Sequence, residues 1–267
     1  MKRDFYVGYL PFPPALKPLF RLLVPLILLL ALGTVYFIAE KTPAAGEGTW
    51  ALEPTTLTGT VVMEPYPMLV TEARQEHPVL LVQLGKMSAH DIVAPFADQS
   101  VEVTGFMIER GPWQMLEIES GESVQPSSAP RLSLPASTDT VAVSLQGEIV
   151  DSKCMLGVMK PGAGKVHRDC AELCIMGGMP PMLLVKNTAG DKAAYLLMDE
   201  NGNAVGQQLL PHIAVPVAVK GSAYRVGSMP VIQVQPTDVL ELGGNSLADF
   251  GPSIGLAGTS SFCRIAS

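Results

Sequence analysis

The chain has 267 residues, 48% hydrophobic and only 16% charged, with a net charge of −7. That acidic balance disfavours nucleic acid and anionic headgroups as partners, and no P-loop, G-x-S-x-G or H-E-x-x-H motif points to a familiar catalytic machine. The length suits one large domain or two small ones beside a membrane segment.

Residues 1–21 form a lead-in rich in proline and aromatics; Pro11, Pro13 and Pro14 exclude a regular helix there. Tyr6, Tyr9, Phe12 and Phe20 suit a membrane interface. Leu22–Ala39 carries no charge, and residues 22–41 reach the roughly 20 positions that cross a bilayer. The run is longer than a signal-peptide core and no small-x-small cleavage site closes it, so an uncleaved anchor is expected. Lys2, Arg3, Lys17 and Arg21 precede the span, which places the N-terminus in the cytoplasm and the rest outside. That compartment permits disulfides.

Residues 42–55 read as a tether. From Leu57 onward short apolar or alternating runs, broken by Gly, Pro and Asn/Asp, predict mainly β structure. Only Ala89–Phe96, the Cys170–Cys174 region and Asn203–Leu210 look helical. A Ser/Pro stretch, residues 120–142, separates a first module (56–119) from a second (143–242), and residues 243–267 form a tail.

Four blocks recur in the same order. Gly59 matches Gly147, Pro78–Val82 matches Pro181–Val185, Val101–Gly105 matches Val217–Gly221, and Arg110–Ile118 matches Arg225–Val234. The repetition suggests an internal duplication, and the glycine-opened strands suggest two OB-like Greek-key barrels. On this matching the second module carries two insertions. One holds three cysteines, and the other contains Ala194–Asn203, which reads as a hairpin turning at Asn201-Gly202.

The cysteine loop is where chemistry is expected. Cys154, His167, Cys170 and Cys174 fall within it, and only Cys263 lies elsewhere. His167, Cys170 and Cys174 fit one face of a short helix, and Pro161–Gly164 can turn Cys154 back towards them. Three readings follow. The cysteines can form disulfides, Cys154 with Cys170 or Cys174 and the remaining thiol with Cys263. They can instead hold zinc or copper with His167, Asp151 standing behind the imidazole and Met155, Met159, Met176, Met179 and Met182 nearby. Or Cys170 and Cys174 can act as a reactive pair beside Lys165, His167 and Arg168. Disulfides are the expected state, with no cofactor.

The run Gly147-x-Ile-Val-Asp151-x-x-Cys154, His167-x-x-Cys170-Ala171-x-x-Cys174 and Gly177-Gly178-x-Pro180-Pro181 resembles bacterial envelope proteins with a Cys-rich loop in a small β domain. The resemblance covers residues 145–185 and implies a bacterial inner-membrane protein with its C-terminal domain in the periplasm. The expected function is a non-catalytic accessory subunit of a respiratory, photosynthetic or other electron-transfer complex, its partners being other membrane subunits and the lipid bilayer. The alternative is a periplasmic metal-binding or thiol-redox protein.

Overall fold

The structure, a computed structural model, describes residues 13–41, 48–186 and 192–243. Most of the lead-in, most of the tether, the tail and Cys263 lie outside the described residues. The chain divides into two units, Met1–Ala45 and Gly46–Ser267.

In the first unit a 3-10 turn, Pro14–Leu16, leads into helix α1, Lys17–Lys41. Pro18 sits in the first turn, where its missing N–H costs nothing. The Thr34 hydroxyl donates to the Leu30 carbonyl at 2.8 Å, so this polar group stays satisfied within the helix. The helix is long and apolar enough to span a membrane.

The second unit is mainly β and contains two closed five-stranded barrels. After a short strand β1 (Thr49–Trp50), the first barrel uses β2 (Thr55–Val62), β3 (Met68–Val70) and β4 (Val79–Gln83). A two-residue strand β5 (Met87–Ser88) and helix α2 (His90–Val93) follow. Then come β6 (Ser100–Arg110) and β7 (Trp113–Ile118). Antiparallel pairs link β2–β3, β3–β4, β6–β7 and β2–β6, and the parallel pair β4–β7 closes the ring. The Ser/Pro stretch is not wholly free of structure: β8 (Val124–Pro126) pairs with β6, and Leu132 N–H donates to the Thr60 hydroxyl.

The second barrel repeats the scheme. Strands β9 (Val141–Asp151), β10 (Pro181–Lys186) and β11 (Lys192–Met198) pair in sequence. Strand β12 (Pro216–Val226) pairs with β9 and with β13 (Met229–Gln233), and β11–β13 is the single parallel pair. A last strand, β14 (Val239–Glu241), pairs with β12 as β8 does with β6. At Gly59 and Gly147 a Cβ would collide with a carbonyl oxygen of the next strand, Val70 and Leu184 respectively, so both barrels need glycine where β2 and β9 bend.

This pairing realigns one of the four matched blocks. Pro78–Val82 lies on β4, the third strand of its barrel, whereas Pro181–Val185 lies on β10, the second. The counterpart of β10 is β3, only three residues long, so the sequence match fell on the next apolar run. The cysteine loop therefore joins first and second strands, and β11 is a regular third strand rather than an insertion. Asn201-Gly202 does turn, with Gly202 at φ 86° and the Asp199 carboxylate accepting from the Asn201 and Asn203 N–H groups. No hairpin results, because both edges of β11 are taken by β10 and β13; the chain continues into a 3-10 segment, Gly206–His212.

Each barrel has its own core, one around Leu69, Val79 and Leu81, the other around Leu183, Val185 and Leu197. A third cluster lies between the barrels, where Met68, Leu80, Val82, Trp113 and Met115 meet Met182, Leu184, Leu196, Met198 and Val231. Strands β4 and β10 are apolar on both faces because alternate residues enter the barrel and the junction. Each large apolar side chain buried there stabilises by roughly 1.5–3 kcal/mol, which fixes one barrel against the other.

Candidate metal centre

The cysteine loop leaves the second barrel at Asp151 and wedges into the junction. The Asp151 carboxylate accepts the Cys154 N–H at 2.9 Å, and Cys154–Val158 make a single π-helical turn. Cys154, Met155 and Leu156 are buried in the shared cluster, and the Arg110 guanidinium of the first barrel donates to the Met155 carbonyl at 2.7 Å. A 3-10 turn, Lys165–His167, then starts helix α3 (Arg168–Met176), which carries Cys170 and Cys174 one turn apart. Gly177 ends α3, and Gly178, at φ 87°, turns the chain towards β10.

The folding of this loop brings three sulfurs together. The Sγ atoms of Cys154, Cys170 and Cys174 all lie within 4.8 Å of one another. Cys154 Sγ and Cys170 Sγ are 3.9 Å apart and unbonded, and the three thiols are free. Two thiolates bound to one tetrahedral metal at about 2.3 Å would stand roughly 3.8 Å apart. The Cys154–Cys170 separation matches that spacing, so the three residues could hold a metal ion.

The first barrel completes the surroundings. Lys86, in the turn between β4 and β5, donates its ammonium to Cys170 Sγ at 2.6 Å and to the Cys170 carbonyl at 3.3 Å, and lies 3.8 Å from Cys174 Sγ. Three contacts hold that turn. Lys153 donates to the carbonyls of Gln83 and Gly85, at 3.0 and 2.7 Å, and forms a buried ion pair with Glu117. Ser88 N–H donates to the Gly177 carbonyl at 2.8 Å. A Cβ on Gly177 would fall on the Lys86 carbonyl oxygen, so glycine there permits the approach.

Electrostatics divide the sulfurs. A hydrogen bond from the Cys154 thiol holds Cys174 below the usual thiol range, with burial opposing and Lys86 assisting. The same bond, then burial and the nearby Asp151 carboxylate, pushes Cys154 far up. Burial works against the Lys86 charge, but its hydrogen bond to Cys170 and the negative sulfurs raise it overall. Of this coupled pair, Cys174 is the sulfur favoured as thiolate and Cys154 the one favoured as thiol.

His167 is placed differently from the helical-face expectation. It precedes α3, and its Nε2 lies 3.1 Å from the Asp151 carboxylate, both side chains being buried. Its ring groups with Asp151 and Cys154, not with all three sulfurs. Asp151 therefore serves both as a cap for Cys154 and as the partner of His167. Cys154, which stands beside this His–Asp pair, is buried and has no exposed face to meet a substrate. Of the neighbouring methionines, Met155, Met179 and Met182 pack in the junction, while Met159 and Met176 are exposed. Cys263 lies outside the described residues.

Lys86 was not signalled by the sequence. It sits far from the loop in the chain, and only the docking of the barrels brings it there. No protein-family model matches the chain, and neither curated proteins nor solved structures give a match.

Proposed function

We propose that this chain is a membrane-anchored metal-binding protein whose Cys154, Cys170 and Cys174 take a thiophilic ion, zinc or copper. The observation that carries the reading is the convergence of three free sulfurs within 4.8 Å, joined by an ammonium from the other barrel. Thiolate donors suit soft or borderline metals and poorly suit magnesium or calcium. The charge asymmetry around α1 supports a periplasmic position for the barrels, with the N-terminus inside. The strand order, with one parallel pair closing each barrel, supports OB-like modules, and the shared pairing scheme supports their origin by duplication. On that reading the loop between first and second strands has been enlarged into a metal site in one copy. The accessory-subunit reading rests on the lead-in and the tail, most of which lie outside the described residues.

Full-length protein purified from its own membrane in mild detergent provides the test. Elemental analysis should find one metal equivalent per chain, and thiol counting should find three more reactive sulfhydryls after the metal is removed than before. A metal-free protein with Cys154 oxidised to Cys170 or Cys174, unable to take up metal after reduction, would overturn the reading.

A further inference from the structure

Two observations narrow the metal. The first is coordination number. Structural zinc sites are almost always four-coordinate, whereas this cluster presents three sulfurs, the His167 ring lying instead with Asp151 and Cys154. Soft thiolate and thioether donors select Cu(I).

The second is the distribution of methionine. Met155, Met179 and Met182 fill the junction, but Met87, Met159 and Met176 are 53%, 44% and 55% exposed. About half of each of these side chains stays in solvent, so packing accounts for only part of it and leaves a thioether within reach of an incoming ion. They come from three separate segments, each tied to the cluster. Met87 follows Lys86, whose ammonium touches Cys170. Met159 N–H donates to the Cys154 carbonyl at 3.4 Å. Met176 ends α3, two residues beyond Cys174. Cys170, only partly buried, is the most accessible of the three sulfurs.

Building on the thiolate-metal reading above, we infer that the cluster is a three-sulfur Cu(I) site, loaded through the exposed thioethers of Met87, Met159 and Met176. The ion arrives as Cu(I) and stays Cu(I), so no electron moves. It exchanges the ligands of its donor for thioether sulfur, then for the sulfurs of Cys170, Cys174 and Cys154, the last releasing its proton to water. The weaker thioethers give the ion up to the thiolates, which sets the direction of transfer.

The test uses the reduced full-length chain in detergent under anaerobic conditions, with a Cu(I)–bicinchoninate complex as donor. Wild type and M87L/M159L/M176L should each take one Cu(I), but the variant should acquire it roughly 10-fold more slowly, with zinc uptake unchanged. In wild type labelled with 13C-methyl methionine, Ag(I) as a redox-inert probe should shift the methyl signals of Met87, Met159 and Met176. Equal transfer rates, or methyl signals that do not respond to Ag(I), would overturn the loading route. A cluster that binds zinc but not Cu(I) would remove this inference and leave the metal reading standing; one that binds neither ion removes both.

Discussion

The Lys86 ammonium of the first barrel lies 2.6 Å from the Cys170 sulfur of the second. The cluster is therefore a property of two docked barrels and not of the loop alone. The same ammonium lies 3.8 Å from the Cys174 sulfur and helps to hold that thiol below its usual range, after the hydrogen bond from Cys154.

Replacing Lys86 by Met should raise the midpoint at which the metal-free cluster ionises by about one pH unit, while Lys86→Arg should leave it near the original value. Ultraviolet thiolate absorbance followed against pH reads this directly. Identical titrations for wild type and K86M would show that the ammonium is a bystander.

Lys153 and Glu117 form a buried pair across the barrel junction, their side chains 3% and 2% exposed. Losing one partner strands the other charge in an apolar interface, so Lys153→Met should destabilise by about 3–5 kcal/mol. The double variant K153M/E117L should be more stable than K153M alone, because no charge is left unpaired. Thermal unfolding in detergent compares the three proteins. A double variant as weak as the single one would mean that Lys153 acts chiefly through its bonds to the Gln83 and Gly85 carbonyls.

The extent to which this could be read from the residues differs between fold and site. The β character, the long apolar helix and the short helix bearing Cys170 and Cys174 follow from period and punctuation, which are local signals. The match of Pro78–Val82 to Pro181–Val185 misled because β4 and β10 are both apolar on two faces, a consequence of burial between barrels that sequence similarity cannot distinguish from descent. The sulfur donors were visible as a cysteine-rich loop. Lys86 was not, since its role depends on a contact between positions in different modules. Helical spacing puts His167 on the sulfur face, but α3 begins after it and the Asp151 carboxylate captures its ring.

His77 supplies a pH dependence separate from the cluster. Its ring stands edge-on to Trp113 with centroids 4.9 Å apart, and burial lowers its pKa to about 4. The unfolded chain protonates this imidazole near pH 6.5, so between roughly pH 6.5 and 4 the unfolded state binds more protons. Stability should therefore fall as pH drops through that window, by about 2–3 kcal/mol from this group. His77→Phe keeps an aromatic ring against Trp113 and should flatten that part of the profile. Denaturant unfolding at neutral and acidic pH, compared between the two proteins, checks it; parallel profiles would assign the acid sensitivity to other groups.

Gly177 offers a way to disturb the cluster without touching a sulfur, its ligands or its charges. Its backbone is unstrained at φ −77°, so alanine there meets no conformational penalty of its own. The added methyl would instead occupy the position of the Lys86 carbonyl oxygen. Either α3 or the β4–β5 turn must retreat, and the turn is the lighter element, although Lys153 and Ser88 hold it from both ends. Gly177→Ala should thus withdraw Lys86 and raise the ionisation midpoint in the same direction as K86M, with a cost in stability of about 1–3 kcal/mol from overpacking. Combining G177A with K86M separates the effects. If the alanine acts through Lys86, the double variant should ionise like K86M alone; a further upward shift would mean that α3 itself has moved and carried Cys170 and Cys174 with it.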